Sequence, residues 1–448
     1  MNPPCPLVAH EYMNVAVKVD SRLADRYVGI WDHTVDRDER GRWLARFGLT
    51  HVQGDRLQDA QHKFQAVWLK RGIEAARKDP YCDGYYFWSV TDCVFSNEKG
   101  WTGVVITNNP CHIAQGLFSP FMEEKINGMT AAEFARFNSP RGVFIDSAPD
   151  ENMHFVTGAA SGAAPRIDVF FANYGETPLA DPVCLWTLSE KASGRKLVEG
   201  ACMRMSLSHG CGSAKKEAVG ALGGVRELGT LYVDAPKVGG PVAAELKVEI
   251  HDGDRTVVDN AWDCWLFPER AKRDGSDVAV VGSCAKAFSE VFSGLLPLER
   301  VREAKVVVAD FGSPVVGEAL ARGQSVVEIG GADDPVDIAP SWWFVRGIVG
   351  AYFNCDSPVL KYLPRSEFLS TLHFRIFKKG RPMPVNGFGV EDLVAVSERE
   401  DGCYAHLGER LDSHGGRHLF AHGLAMDPAL PESVAIMDGL VDRARTPQ

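Results

Sequence analysis

Hydrophobic and polar positions along the chain follow three successive patterns. Residues 6–11 form a short apolar run that ends on the ionisable pair His10 and Glu11. Residues 55–78 then place Leu57, Phe64, Val67, Trp68 and Ile73 at helical spacing. Residues 83–90, Asp-Gly-Tyr-Tyr-Phe-Trp-Ser-Val, are short and aromatic and follow turn residues, which predicts a second buried strand. Strand, helix, strand is α/β grammar, and it occupies the chain to about Gly128.

From about Ala131 to Pro268 the period changes to two. Residues 166–171, 183–188 and 244–250 alternate apolar with polar side chains and are separated by Gly, Pro and Asn, the pattern of a β-sandwich. Residues 259–268, Asp-Asn-Ala-Trp-Asp-Cys-Trp-Leu-Phe-Pro, close this region, and a charged linker follows at 269–277. The last region returns to α/β. Residues 305–310 and 325–330 read as buried strands around an amphipathic helix at 314–322 closed by Gly323, with a further strand at 417–421 and a final helix at 431–443. No internal repeat or low-complexity tract interrupts these patterns, and 448 residues accommodate the three regions as separate domains.

A composition of 45% hydrophobic and 24% charged residues is that of a globular protein. No window approaches the roughly 20 apolar residues of a membrane helix, and Met1-Asn2-Pro3-Pro4 lacks the basic and apolar parts of a signal peptide. A net charge of −11 argues against a general nucleic-acid or anionic-membrane partner. The 11 cysteines are scattered and never spaced Cys-x-x-Cys, so they read as small buried hydrophobes and leave the compartment open. Phosphate-loop and His-Glu-x-x-His signatures are missing, and Gly220-Ala-Leu-Gly-Gly224 lies between sandwich strands, so no cofactor or catalytic metal is expected.

Taken in order, four motifs resemble glycoside hydrolases of the family 2 type, the β-galactosidase-like group. Pro6-Leu-Val-Ala-His-Glu-Tyr12 is similar to the seventh strand of the (β/α)8 TIM barrel, and Gly84-Tyr-Tyr-Phe-Trp-Ser-Val-Thr-Asp92 to the eighth. Glu133-Phe-Ala-Arg-Phe-Asn-Ser-Pro140 resembles the entry to an immunoglobulin-like sandwich, and residues 260–268 its end. The C-terminal region resembles the glutamine-amidotransferase-like module of large members. The implied organisation is a partial barrel at 1–130, an immunoglobulin-like β-sandwich at 131–268 and an α/β amidotransferase-like domain at 278–448.

The resemblance implies a retaining β-glycosidase, which needs two carboxyl groups about 5–5.5 Å apart. It assigns the nucleophile to Glu11, with His10 and Tyr12 as nearby donors that would keep it ionised. The other reading of Glu11 is a strand-end carboxylate capping the next helix. Trp88 would stack on the sugar as the floor of the subsite, or else join Tyr85, Tyr86 and Phe87 in a core. Asp92 and Asn97 would hydrogen-bond sugar hydroxyls, or are solvated loop residues, and His62 and Lys63 read as helix surface. Trp186, Trp262 and Trp265 read as sandwich core or interface, and 101–105 as a packing strand.

The acid/base Glu of this family follows an Asn at the end of an earlier barrel strand. Here Asn97-Glu98 lies in a polar loop, and the first region ends far short of the about 250 residues of a barrel. The chain therefore reads as the C-terminal portion of a longer enzyme, lacking the acid/base half and inactive alone, completed by an upstream barrel half or by a homo-oligomer, with carbohydrate as substrate. The alternative is a non-catalytic carbohydrate-binding or scaffold protein of the same descent. Cys284 and Cys355 lack the glycine frame of a nucleophile elbow. The last domain, with His373, His418 and His422, thus reads as a non-catalytic packing or oligomerisation module.

Overall fold

The computed structural model describes residues 6–28, 34–79, 81–92, 113–148, 150–158, 165–180, 182–204, 222–330, 349–377, 382–399 and 401–446. In chain order its elements are β1 (Val8–Tyr12), β2 (Val17–Lys18), α1 (Thr34–Arg46), α2 (His51–Lys78), β3 (Gly84–Phe87), β4 (Ile113–Ala114) and α3 (Ala131–Phe137). Next come β5 (Arg141–Ala148), β6 (His154–Thr157), β7 (Arg166–Asn173), β8 (Pro182–Glu190), β9 (Lys196–Ala201), β10 (Met203–Arg204), β11 (Val225–Tyr232), β12 (Val242–Asp252) and β13 (Arg255–Pro268). The remainder is β14 (Arg273–Asp274), β15 (Val278–Val281), α4 (Ala285–Val291), β16 (Phe292–Ser293), β17 (Val306–Asp310), α5 (Pro314–Ala321), β18 (Ser325–Ile329), β19 (Ala351–Phe353), α6 (Phe374–Phe377), β20 (Met383–Pro384), β21 (Leu393–Glu398), β22 (Cys403–Leu411), β23 (Arg417–Ala421) and α7 (Pro431–Arg445). This is a mixed α/β chain with several β-sheets, as its alternating periods predict.

Contacts divide the chain into two units, one of residues 1–13, 67–88 and 129–269, the other of residues 14–66, 89–128 and 270–448. The division falls inside α2. Residues 1–130, expected as one barrel-derived region, are thus shared between the units.

In the first unit β1 and β3 pair in parallel. A four-stranded sheet of order β10-β11-β7-β5 and a five-stranded sheet of order β6-β13-β12-β8-β9 share one apolar core. Period two builds that core directly: on β12, Ala244, Leu246, Val248 and Ile250 are fully buried, alternating with Glu245, Lys247 and Glu249. A capping box starts α3, with Glu133 N–H donating to Thr130 Oγ1 at 3.1 Å and Thr130 N–H to Glu133 Oε2 at 2.8 Å. The end of α2 is fixed through Glu74, whose carboxylate accepts from Trp262 Nε1 at 2.9 Å, Asn260 Nδ2 at 2.7 Å and Lys70 Nζ at 2.6 Å. Trp186 and Trp265 are buried, and Trp262 is half-buried at this contact.

The second unit is built on an eight-stranded sheet of order β15-β17-β18-β23-β22-β21-β19, with β20 added on β22. Its first four strands are parallel and the rest antiparallel. All four apolar residues of β17 from Val306 to Ala309 are buried, as a strand covered on both faces requires. Val316 and Ala319 of α5 pack on Val307, Ala309 and Val326. Leu44 of α1, Leu49, and Leu57 and Ala60 of α2 pack on Tyr352, Leu393, Val396 and Ala405 from the antiparallel half.

A buried charge cluster accompanies this packing. The Glu398 carboxylate on β21 pairs with Lys18 Nζ at 2.6 Å and with both terminal nitrogens of Arg40, and it accepts from Trp43 Nε1 at 2.8 Å and Gln61 Nε2 at 3.1 Å. Burial alone would raise its pKa, but Arg40 and Lys18 outweigh that and hold it at about 2. The packing and this cluster together place residues 14–66 with the C-terminal sheet.

His62, expected on the helix surface, is 2% exposed. Its Nδ1 lies 2.9 Å from the Ile126 carbonyl and its Nε2 2.9 Å from Gln58 Nε2. Burial, reinforced by the Lys125 charge, lowers its pKa to about 3. The helix face that carries it is polar yet interior.

Candidate functional site

Strand β1 ends in a bulge. Ala9 pairs with Tyr85 and Tyr12 with Phe87, so His10 and Glu11 together oppose the single residue Tyr86. Glu11 takes a left-handed backbone at φ 51°, and Met13 follows at φ 60°. Neither is a residue type that adopts this conformation cheaply, and such strain collects at sites where a side chain must be aimed. Glu11 is half-buried and His10 exposed. The His10 ring stands edge-on to Tyr86 with centroids 6.3 Å apart.

The end of β3 closes onto the same place, because Trp88 N–H donates to the Tyr12 carbonyl at 3.2 Å. His10, Glu11 and Trp88 therefore all lie at the C-terminal ends of two paired parallel strands. The helix behind them is locked in, since Tyr12 Oη donates to the Gly72 carbonyl at 2.9 Å and burial pushes the phenol pKa up. Gly72 leaves space that the Met13 thioether fills, so a Cβ there would displace the end of that side chain.

The donors expected around Glu11 are arranged otherwise. Tyr12 spends its hydroxyl on Gly72, and no hydrogen bond or ion pair joins the Glu11 carboxylate to another described residue. Asp92 belongs to the other unit, buried, where its Oδ1 accepts from Lys125 Nζ at 2.8 Å and Gly116 N–H at 2.7 Å. Burial raises its pKa against the pull of Lys125. Lys125 also donates to Gln65 Oε1 at 3.0 Å and to the Gly116 carbonyl at 2.6 Å, so Asp92 is a structural tie that pins its loop. Asn97 and residues 101–105 lie outside the described residues.

At the start of α4, Cys284 is buried and its thiol is pushed up to about 12 by desolvation and the neighbouring Asp310, opposite to the activation a nucleophile needs. Burial also raises the Cys355 thiol. His373 stacks on Phe353 at 4.1 Å. A carboxylate–imidazole cluster on adjacent strands escaped the sequence: Glu328 Oε2 of β18 lies 2.7 Å from His418 Nε2 and 3.9 Å from His422 Nε2. Glu328 Oε1 accepts from Gly312 N–H at 3.2 Å. Burial would raise the carboxyl pKa, but these donors hold it below its ordinary value, while burial lowers His422 to about 4. Among the described residues no group of three or more His, Cys, Asp or Glu could hold a metal ion, and no helix is long and apolar enough to cross a membrane.

A family model described as a domain of unknown function, DUF8488, matches residues 165–268, the stretch from β7 to β13. No curated protein matches the chain. Among solved structures it is similar to a Parabacteroides merdae β-glucuronidase at 9% identity, over 43% of this chain and 24% of that one, with a TM-score of 0.17. A family 39 glycoside hydrolase from the gut symbiont Bacteroides cellulosilyticus matches at 13% identity, over 42% and 34%, with a TM-score of 0.16. A Ruminococcus gnavus β-glucuronidase matches at 9%, over 42% and 28%, with a TM-score of 0.13. The alignments span between a quarter and about a third of those chains. These neighbours are glycoside hydrolases, but at such TM-scores the superpositions do not amount to a shared fold.

Proposed function

We propose that this chain carries the nucleophile side of a retaining β-glycosidase, with Glu11 as the nucleophile. The observation that carries this is the strained, bulged end of β1, which puts Glu11 and, across the strand pair, Trp88 at the place where two parallel strands finish. Parallel-strand C-termini are where α/β enzymes assemble their sites. In the retaining reaction the Glu11 carboxylate attacks the anomeric carbon as the glycosidic bond breaks. A second carboxyl group protonates the leaving oxygen and later deprotonates the water that releases the sugar.

Trp88 supplies the aromatic platform and His10 a polar contact to the sugar. Asp92 is left to its structural tie, and Asn97 keeps its proposed role as a hydroxyl contact. The acid/base group is supplied by a partner that completes the barrel, either an upstream half or a second copy. The sandwich fits an immunoglobulin-like module and the C-terminal sheet a non-catalytic amidotransferase-like one.

A second reading, a sugar-binding protein without catalysis, is favoured by one observation: among the described residues β1 and β3 stand as a two-stranded sheet. The experiment that separates them uses dinitrophenyl 2-deoxy-2-fluoro-β-glycosides, whose leaving group departs without acid assistance. Intact-mass and peptide mass spectrometry on the full chain are expected to find the fluorosugar esterified to Glu11, and no adduct in Glu11→Gln. Sugar binding that is equal in both proteins without an adduct selects the second reading. A chain that neither reacts with nor binds any glycoside rejects both.

A further inference from the structure

The hairpin β8–β9 sets a ladder of side chains into the sandwich core. Its register pairs Leu188 with Val198 and Trp186 with Gly200, and one step further Cys202 N–H donates to the Cys184 carbonyl at 2.9 Å. Because alternate residues share a face, Cys184 and Cys202 point to the same side as those pairs. Both belong to the sandwich core cluster, Cys184 buried and Cys202 half-buried. Gly200 has no side chain because the Trp186 ring fills the place of its Cβ, which holds this end of the ladder tightly in register.

Position adds to this. β9 is the edge of the five-stranded sheet and β10 the edge of the four-stranded one, and Cys202 is the single residue between them. It is the corner at which the chain changes sheets. Directly opposed residues of an antiparallel pair have Cβ atoms about 4.5–5.5 Å apart, and a disulfide needs about 3.5–4.5 Å. Closing the gap takes a shift on the order of an ångström, available to a residue that already lies past the end of its strand.

We infer that Cys184 and Cys202 form a reversible cross-strand disulfide that fastens the edge strand β9 at the sheet-changing corner. The two thiols hydrogen-bond to each other, and the Cys184 S–H, donating to Cys202, lowers the Cys202 pKa. Cys202, half-exposed where Cys184 is buried, therefore reacts first. Its thiolate attacks one sulfur of a small disulfide such as oxidised glutathione, forming a mixed disulfide and releasing one glutathione thiolate. Cys184 then loses its proton and attacks the Cys202 sulfur, releasing the second thiolate. The protein loses two protons and two electrons, and one oxidised glutathione becomes two reduced ones. A bond made across paired strands is strained and so easily reduced, which suits a reversible clip and not a permanent staple.

The test is peptide mapping of the full chain after treatment with oxidised glutathione, with hydrogen exchange read in parallel. The expected product is one peptide pair linked through Cys184 and Cys202, removed by dithiothreitol, with slower exchange of the β9 amides. Cys184→Ser should stop at a glutathione adduct on Cys202, and Cys202→Ser should show neither link nor slowed exchange. Both cysteines remaining open to alkylation after oxidation, or Cys202 linked elsewhere, for example to Cys211, would overturn the inference.

Discussion

Replacing Glu398 by Gln tests the reason that residues 14–66 belong with the C-terminal sheet. The side chain is fully buried, as are Lys18 and, nearly so, Arg40, so the cluster holds two cations against one carboxylate. The amide keeps the shape but leaves both cations without a counter-charge. Removing one partner of a buried ion pair costs about 3–5 kcal/mol. A separate route gives a similar figure: a carboxyl held at about 2 against an ordinary 4.5 corresponds to about 3 kcal/mol of stabilisation.

Because the folded carboxyl has the lower pKa, the unfolded chain takes up the proton first on acidification. The contribution is complete above about pH 4.5 and is lost as the pH falls through about 2. Urea unfolding followed by tryptophan fluorescence measures this, since the Trp43 indole donates directly to Glu398. Glu398→Gln should lose about 3 kcal/mol at pH 7 and lack the acid slope between pH 4.5 and 2. Apolar replacement of Lys18, Arg40 and Glu398 together should cost much less, because no charge is left stranded. A loss below about 1 kcal/mol in Glu398→Gln, with an unchanged dependence on urea, would refute the account.

Three further outcomes are expected. His62 and His406 are held at about 3 by burial against an ordinary 6.5, so stability is complete above pH 6.5 and falls by about 1.4 kcal/mol per histidine for each pH unit down to about 3. His406→Gln should flatten that slope, and a urea midpoint constant from pH 6.5 to 4.5 in the wild type would contradict it. Two helical glycines should respond with opposite sign to Ala: Gly317 in α5 has nothing within 4 Å of a Cβ and should gain about 1 kcal/mol, whereas a Cβ on Gly439 in α7 would overlap the Val359 carbonyl and should lower the melting temperature. Glu11→Gly should relieve the left-handed backbone and raise stability by up to about 1 kcal/mol in a thermal melt. A loss of more than that would make Glu11 a structural carboxylate.

Elements whose burial is one-sided or continuous were legible in the residues themselves. β12 follows from strict alternation, β17 from an unbroken Val-Val-Val-Ala run, and β23 from five residues bounded by Gly415-Gly416 and His422-Gly423. Long-range partners were not, because Glu398 lies 380 residues from Lys18 and 358 from Arg40 and nothing local marks either cation as interior. α2 did hold a usable signal. Gln58, Gln61, His62 and Gln65 recur at helical spacing without a charge, and three of them meet the carbonyls of Lys18, Ile126 and Val15. An uncharged polar stripe of this kind marks a face that satisfies buried backbone, which a rule placing polar residues outside misreads.

The bulge at Glu11 is the opposite case. The apolar run before it and the aromatic strand after it predicted two neighbouring strands, but neither left-handed position, Glu11 or Met13, is itself a Gly, Asn or Asp. Residue preference and backbone disagree there within an otherwise consistent segment. Such a disagreement has to be held in place by its surroundings, here the two bonds of Tyr12, from its hydroxyl to Gly72 and to its carbonyl from Trp88 N–H. Local rules are most often broken where a side chain's direction matters more than its stability, which is why this carboxylate carries the chemistry proposed for the chain.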